Sequence, residues 1–205
     1  MTPRNMFLVA MLAATVSGCA GKIDYTPPAE STSTNTKQIS RQRDVVWNEL
    51  VPALSKNFFV INTIDKSSGL INISYSGDPE KYADCGMVHS YVKNARGERN
   101  YDFNGATASE QYETFVNNNL LNHNRRVALD GRMNIILTAD GPGKTVMTVN
   151  ARYVLSITDT VNDVEGHVAN FSNTISFNTG GIGHGQTISC RPTGDFEQAV
   201  LDLVH

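Results

Sequence analysis

The chain has 205 residues, 40% of them hydrophobic and 18% charged, with a formal net charge of −3. That apolar content supports a real core and excludes a chain disordered from end to end. A slight acidic excess without any basic cluster argues against a nucleic acid partner.

The first six residues carry one basic side chain, Arg4, and the uncharged run FLVAMLAATV follows from Phe7 to Val16. About ten apolar residues are too few to span a bilayer, which takes roughly 20. With the small residues Ser17 and Gly18 they fit a secretory signal. Val16-Ser17-Gly18-Cys19 resembles the bacterial lipobox, in which an aliphatic residue and two small residues precede a cysteine. The resemblance implies a diacylglyceryl group on the Cys19 sulfur, cleavage between Gly18 and Cys19, and acylation of the new α-amino group. Several acyl chains form a stable membrane anchor, at about 0.8 kcal/mol per buried methylene. Ala20, rather than Asp, follows the cysteine. In a Gram-negative source that pattern implies an outer-membrane lipoprotein facing the periplasm. The bland alternative is an ordinary signal peptide with an incidental cysteine.

Residues 21–40, GKIDYTPPAESTSTNTKQIS, are rich in Ser, Thr, Pro and Lys and poor in large apolar residues. Such a composition predicts a flexible tether. The expected organisation is a cleaved signal at 1–18, a lipidated cysteine and tether at 19–40, and a single periplasm-facing domain at 41–205. Two cysteines fall in that domain, Cys85 and Cys190. An oxidising compartment favours a disulfide between them. Two free thiols, or a two-cysteine metal site lacking any close Cys-x-x-Cys spacing, are the alternatives.

In the domain, Trp47, Leu50, Val51 and Leu54 form one apolar stripe and predict a helix, with Ser40 as a cap and Pro52 as a kink or end. FFVINTI and LINISYS, joined by DKSSG, predict a hairpin, and GMVHSYV and RNYDF around NARGE predict a second. GDPEKYADC between them reads as a loop. In TASEQYETFVNN, the capping-box spacing Thr107 to Glu110 and the residues Tyr112, Phe115 and Val116 predict a short middle helix. VALDGRMNIILTA and TVMTVNARYVLSI alternate with period two around the turn DGPGK and predict long antiparallel strands. NFSNTISF and QTISC predict two more strands. Phe196, Ala199, Val200 and Leu203 predict a terminal helix starting near Asp195. The expected fold class is therefore α+β: an antiparallel sheet with an N-terminal, a middle and a C-terminal helix on one face.

The Trp-bearing helix followed by FFVINTIDKSSGLINISY resembles envelope lipoproteins of the helix-grip type, such as the C component of the outer-membrane β-barrel assembly machinery. The resemblance covers about residues 41–76 and implies a binding or scaffolding role at the level of fold analogy.

Chemical motifs are sparse. GPGKT has the tail of a phosphate-binding loop, but Thr138 replaces the first glycine and strand-like sequence follows. GGIGHG offers Gly181, Gly183, His184 and Gly185 as a partner-contacting loop between strands. Asp159, Asp163, Glu165 and His167 lie close in sequence; the last three would share a face if extended, but they lack calcium-loop spacing and read as a solvated acidic loop. No Gly-x-Ser-x-Gly elbow accompanies the five histidines. The expectation is a non-enzymatic, lipid-anchored binding or scaffolding component of a cell-envelope assembly, with a protein partner and no cofactor or metal. The alternatives are an enzyme using His89 or His184, and a small-ligand carrier with a groove between helix and sheet.

Overall fold

The computed structural model describes residues 19–30, 33–57 and 59–205. The expected signal segment, with Gly18 of its cleavage site, lies outside the described residues. The elements in chain order are β1 (Ala20–Thr26), β2 (Thr36–Ile39), α1 (Arg43–Lys56), β3 (Val60–Asp65), β4 (Leu70–Gly77), α2 (Pro79–Tyr82), β5 (Ala83–Asp84) and β6 (Met87–Asn94). There follow β7 (Gly97–Asn104), β8 (Ser109–Val116), β9 (Asn119–Ala139), β10 (Thr145–Asp163), β11 (Val168–Asn178), β12 (Gly183–His184), β13 (Ser189–Pro192) and α3 (Asp195–Leu201).

The α+β expectation is corrected. Strands make up 59% of the described residues and helices 14%, so the molecule is built from β-sheet with a small helical part. The middle helix does not form. Its residues are β8, antiparallel to β9, because Asn117 and Asn118 both take positive φ (50° and 66°) and close a tight hairpin. Asparagine tolerates that region better than most residues. The only helix between the first two hairpins is α2, a single turn capped by the Asp78 carboxylate. The tether is corrected as well. Within 19–40, β1 pairs with β6 and β2 pairs with β10. A polar composition does not prevent an edge strand, whose stability comes from backbone pairing and one partly covered face.

The β9–β10 hairpin is the spine of the molecule. It pairs without interruption from Ala139↔Thr145 to Leu121↔Asp163. DGPGK is its turn, closed by the Asp140 N–H on the Lys144 carbonyl. A seven-stranded antiparallel sheet runs β11-β10-β9-β4-β3, with β2 added to β10 and β8 added to β9. Near the turn, β4 and β3 flank one side and β2 the other. At the far end, β8 and β11 take those places. A three-stranded sheet, β1-β6-β7, lies against β8, and β12-β13-β5 forms another.

The half near the turn is filled. Met133, Ile135 and Leu137 of β9 and Met147, Val149 and Tyr153 of β10 all point inward and are buried. The helix α1 covers them with Val46, Trp47, Leu50 and Leu54. It starts after Gln42 without a side-chain cap and runs past Pro52 to Lys56, so neither Ser40 nor Pro52 sets its limits. The other terminal helix inserts Phe196 over Gly131, where an added Cβ would come within 2.8 Å of the ring. Glycine makes room for an aromatic side chain in mid-strand. The Glu197 carboxylate, 2% exposed, accepts hydrogen bonds from the Tyr153 hydroxyl (2.6 Å) and the Thr179 hydroxyl (2.6 Å). Lys37 of β2 donates to the carbonyl of Leu201, the last residue of the helix, and to that of Val204 beyond it. Cys85 and Cys190 lie at disulfide distance, S–S 2.05 Å, joining β13 to the chain between β5 and β6.

Candidate functional site

At the far half of the spine the inward row changes chemistry. Along β9 the row continues from Leu129 and Val127 to Arg125 and His123, and along β10 from Leu155 and Ile157 to Asp159. The same period-two geometry that buries the core aims these polar side chains inward. They border a cavity of about 480 Å³ between the β1-β6-β7 sheet and the main sheet. Most of its wall is apolar: Ile23 and Tyr25 of β1, Val88 of β6, Phe103 of β7, Ile157 and Phe171. Ile23, Val116 and Phe171 are largely exposed and mark the rim. The size and the mix of apolar wall with a few convergent polar groups match small-molecule sites.

The polar groups form a connected relay. His123 Nδ1 lies 2.7 Å from Asp159 Oδ2, and Thr114 Oγ1 lies 3.0 Å from His123 Nε2. With the imidazole neutral, Nδ1–H donates to Asp159 and Nε2 accepts the Thr114 hydroxyl proton. Tyr112 stacks on His123 at 4.4 Å between centroids and contacts Phe103 at 4.9 Å. Burial, followed by the nearby Asp159 carboxylate, pushes its phenol up to about 12. Arg125 is 6% exposed and donates through Nη2 to the Gly105 carbonyl. Burial pulls its guanidinium down from the ordinary value, yet arginine stays charged. Arg125 sits directly opposite Asp159 on β10 and Glu110 on β8. Among the described residues, Arg125 Nη1 and Asp159 Oδ1 are buried without hydrogen-bond partners.

The residues expected from sequence lie elsewhere. Cys19 is exposed and immediately precedes β1. His89 forms an exposed pair with Asp102 across β6 and β7, at 2.5 Å. The Cys85 sulfur bonded to Cys190 is not available to it. Gly181 follows a turn, and Gly183 and His184 form β12, paired with β13. An added Cβ at Gly183 would meet Ile175 and the Ser176 carbonyl at 2.8 Å, and one at Gly185 would meet Asn173 and Ile175 at 2.7 Å. Backbone packing therefore accounts for those glycines, while His184 reaches Ser189 Oγ at 3.0 Å. Asp163, Glu165 and His167 gather in the β10–β11 turn rather than along an extended face. Asp159 belongs to the cavity and not to that cluster. Among the described residues, none that lines the cavity is helical, so it is not the groove between helix and sheet that the sequence suggests. Thr114, Arg125 and Tyr112 carry no motif; their signal is polar side chains at inward positions of an otherwise apolar alternation.

Among the described residues, no helix is long and apolar enough to cross a membrane. No family model matches the chain, and neither a curated protein nor a solved structure matches it.

Proposed function

We propose that this protein is a lipid-anchored component of the cell envelope whose domain binds a small amphiphilic molecule in the cavity between the β1-β6-β7 sheet and the main sheet. The cavity, with its apolar wall and buried polar relay, is the observation that carries this reading. It favours the ligand-binding branch of the sequence expectation over a pure scaffold. The anchor is Cys19, and no spacer separates it from the fold, since β1 begins at Ala20. Ile23, four residues on, lies at the rim, roughly 13 Å along a strand. An acylated Cys19 would thus hold the cavity mouth close to the outer-membrane surface, on its periplasmic side.

The fluorescence of N-phenyl-1-naphthylamine tests the binding. It should rise on mixing with the protein, and Val88→Trp, which fills the cavity, should abolish the rise without unfolding the chain. An unchanged signal in that variant would place the probe elsewhere and defeat the reading. For the anchor, Cys19→Ser should move the protein from the membrane to the soluble fraction; continued membrane retention would refute lipid attachment there.

One observation favours a second reading. Thr114, His123 and Asp159 stand in the order of an acyl-transfer relay, with a hydroxyl donating to the imidazole and a carboxylate orienting it. Thr114 would then be the nucleophile of an ester hydrolase. Turnover of p-nitrophenyl esters that disappears in Thr114→Val would establish it, and no turnover by the intact protein would remove it.

A further inference from the structure

The outer face of the main sheet, opposite to the one that lines the cavity, carries two rows of amides that converge on the β9–β10 ribbon. From one edge, Asn62 Nδ2 donates to Asn72 Oδ1 (3.0 Å), and Asn72 Nδ2 donates to Asn134 Oδ1 (2.7 Å). From the other, Asn35 Nδ2 donates to Asn150 Oδ1 (3.0 Å). Backbone carbonyls fix the direction of both rows, since Asn72 Nδ2 also donates to Met133 and Asn35 Nδ2 to Val149. An amide oxygen only accepts and its nitrogen only donates. Asn134 and Asn150, directly opposed on β9 and β10, thus have their oxygens engaged, and neither Nδ2 has an acceptor among the described residues.

Two residues along the same face, Arg132 and Arg152 are directly opposed as well. Among the described residues, neither makes an ion pair or a hydrogen bond, and Asp130, two residues before Arg132, pairs with neither. Like charges in directly opposed positions repel, so the sheet gains nothing from the pair. All four residues are exposed and line one hollow of about 510 Å³. Opposed side chains start roughly 5 Å apart, and neighbours on one face roughly 7 Å along the strand. The patch therefore presents donors alone, two of them charged, within reach of one small group. A carboxylate has two oxygens and one charge. A phosphate monoester presents three acceptor oxygens and close to two charges at neutral pH, and guanidinium groups grip such oxygens in pairs. We infer that this hollow binds a phosphate monoester, held by Arg132 and Arg152 with Asn134 and Asn150 donating beside them. The site is independent of the cavity.

Isothermal titration of the whole protein in low-salt buffer tests it with methyl phosphate, a monoester, against dimethyl phosphate and acetate, which carry one charge each. At about pH 8, where the monoester is close to doubly charged, methyl phosphate should bind at least about tenfold more tightly than either, the scale of one charge-assisted hydrogen bond. Arg132→Gln and Arg152→Gln should each weaken it by about the same factor. Arg126→Gln removes an equal charge from the same face of β9 but outside the hollow, and should leave the affinity within about twofold. Without ligand, Arg132→Gln and Arg152→Gln relieve a repulsion, so their urea midpoints should stay level or rise. Equal binding of the three anions, or equal weakening by all three substitutions, would mean a diffuse field rather than a site and overturns the inference. Absence of methyl phosphate binding removes it, and lower urea midpoints would assign the two arginines to the fold instead. Dihexanoyl phosphatidic acid, a dissolved lipid with a monoester head, identifies the source. Tighter binding than methyl phosphate assigns the site to a membrane lipid, and equal or weaker binding to a soluble ester.

Discussion

Around Met133 and Ala151 the β9–β10 ribbon is covered by helices and filled with side chains, whereas around Arg125 and Asp159 it is roofed by a second sheet over open space. Backbone pairing is equally regular in both halves. The difference lies in what packs on the ribbon. A helix brings large side chains down onto a sheet, and Phe196 even occupies the place left by Gly131. Two sheets meeting face to face fill the gap only as far as their inward residues reach, and here that row includes Thr114, Arg125 and Asp159. One half is therefore a filled core and the other holds the cavity and the candidate site.

The contrast can be broken first by truncation. Phe196→Ala should cost about 3–5 kcal/mol, because a fully buried ring is lost from a filled core. Phe103→Ala, which removes one wall of an existing cavity, should cost less than half as much. Urea midpoints measure both, and equal losses would mean that the two halves are packed alike. The polar centres give a second comparison. Glu197→Leu strands the buried Tyr153 hydroxyl and takes one partner from the half-buried Thr179 hydroxyl, and should cost about 2–4 kcal/mol. Thr114→Val leaves His123 Nε2 beside an open cavity and should cost about 1 kcal/mol.

Enlarged side chains should behave in the opposite way. Ala151→Leu should cost about 1–3 kcal/mol by overpacking, while Val88→Leu, which points into the cavity, should cost less than about 1 kcal/mol. A large penalty at Val88 would show that the cavity wall cannot yield.

The smallest effect concerns pH. Hydrogen bonds from the Ser67 and Ser68 side chains, and from the Ser67 N–H, lower the Asp65 carboxyl from 3.8 to about 2. A depressed folded value means that this stabilisation is present above the unfolded value and is lost as pH falls through the folded one. The β3–β4 turn should therefore loosen between pH about 4 and 2, with faster amide exchange at Ser67, and Asp65→Asn should flatten that dependence. The Asp163 carboxyl in the β10–β11 turn is held down in the same direction by His167 and nearby backbone N–H groups. Each half thus has an acid-sensitive turn, and acid exchange that loosens only one of them would sharpen the contrast.

The hairpins were legible because alternation and turn chemistry agreed. DKSSG, NARGE and DGPGK each join strands whose apolar residues repeat with period two. The Cys85–Cys190 pairing is likewise what an exported chain suggests. In β8 two local signals competed. The Thr107–Glu110 spacing suggests a helix, but Asn117-Asn118 supplies a hairpin turn and β9 an extended partner, and pairing prevailed over propensity. The strands β1 and β2 were illegible because edge strands need little apolar sequence. In the site, Arg125, His123 and Asp159 each continue an inward row, but they lie beyond the strands read from sequence, which begin at Val127 and end at Ile157, and Asp159 reads as part of the acidic loop. Their convergence was not legible either, because it requires knowing that β8 and β11 flank the same end of the ribbon.

The pairing of β1 also sets an order of assembly. Its seven residues hydrogen-bond to Met87–Lys93, and the Tyr25 hydroxyl donates to the Ser189 carbonyl and accepts from the Ser189 N–H across 164 residues. β1 thus has no strand partner among the described residues until the middle of the chain has arrived, and its tie to Ser189 forms only when nearly all of the polypeptide is present. Contacts of such long sequence separation close late, after the local hairpins. A chain truncated before Ser189 therefore lacks the contact that ties β1 to β13 and should leave the cavity wall incompletely held.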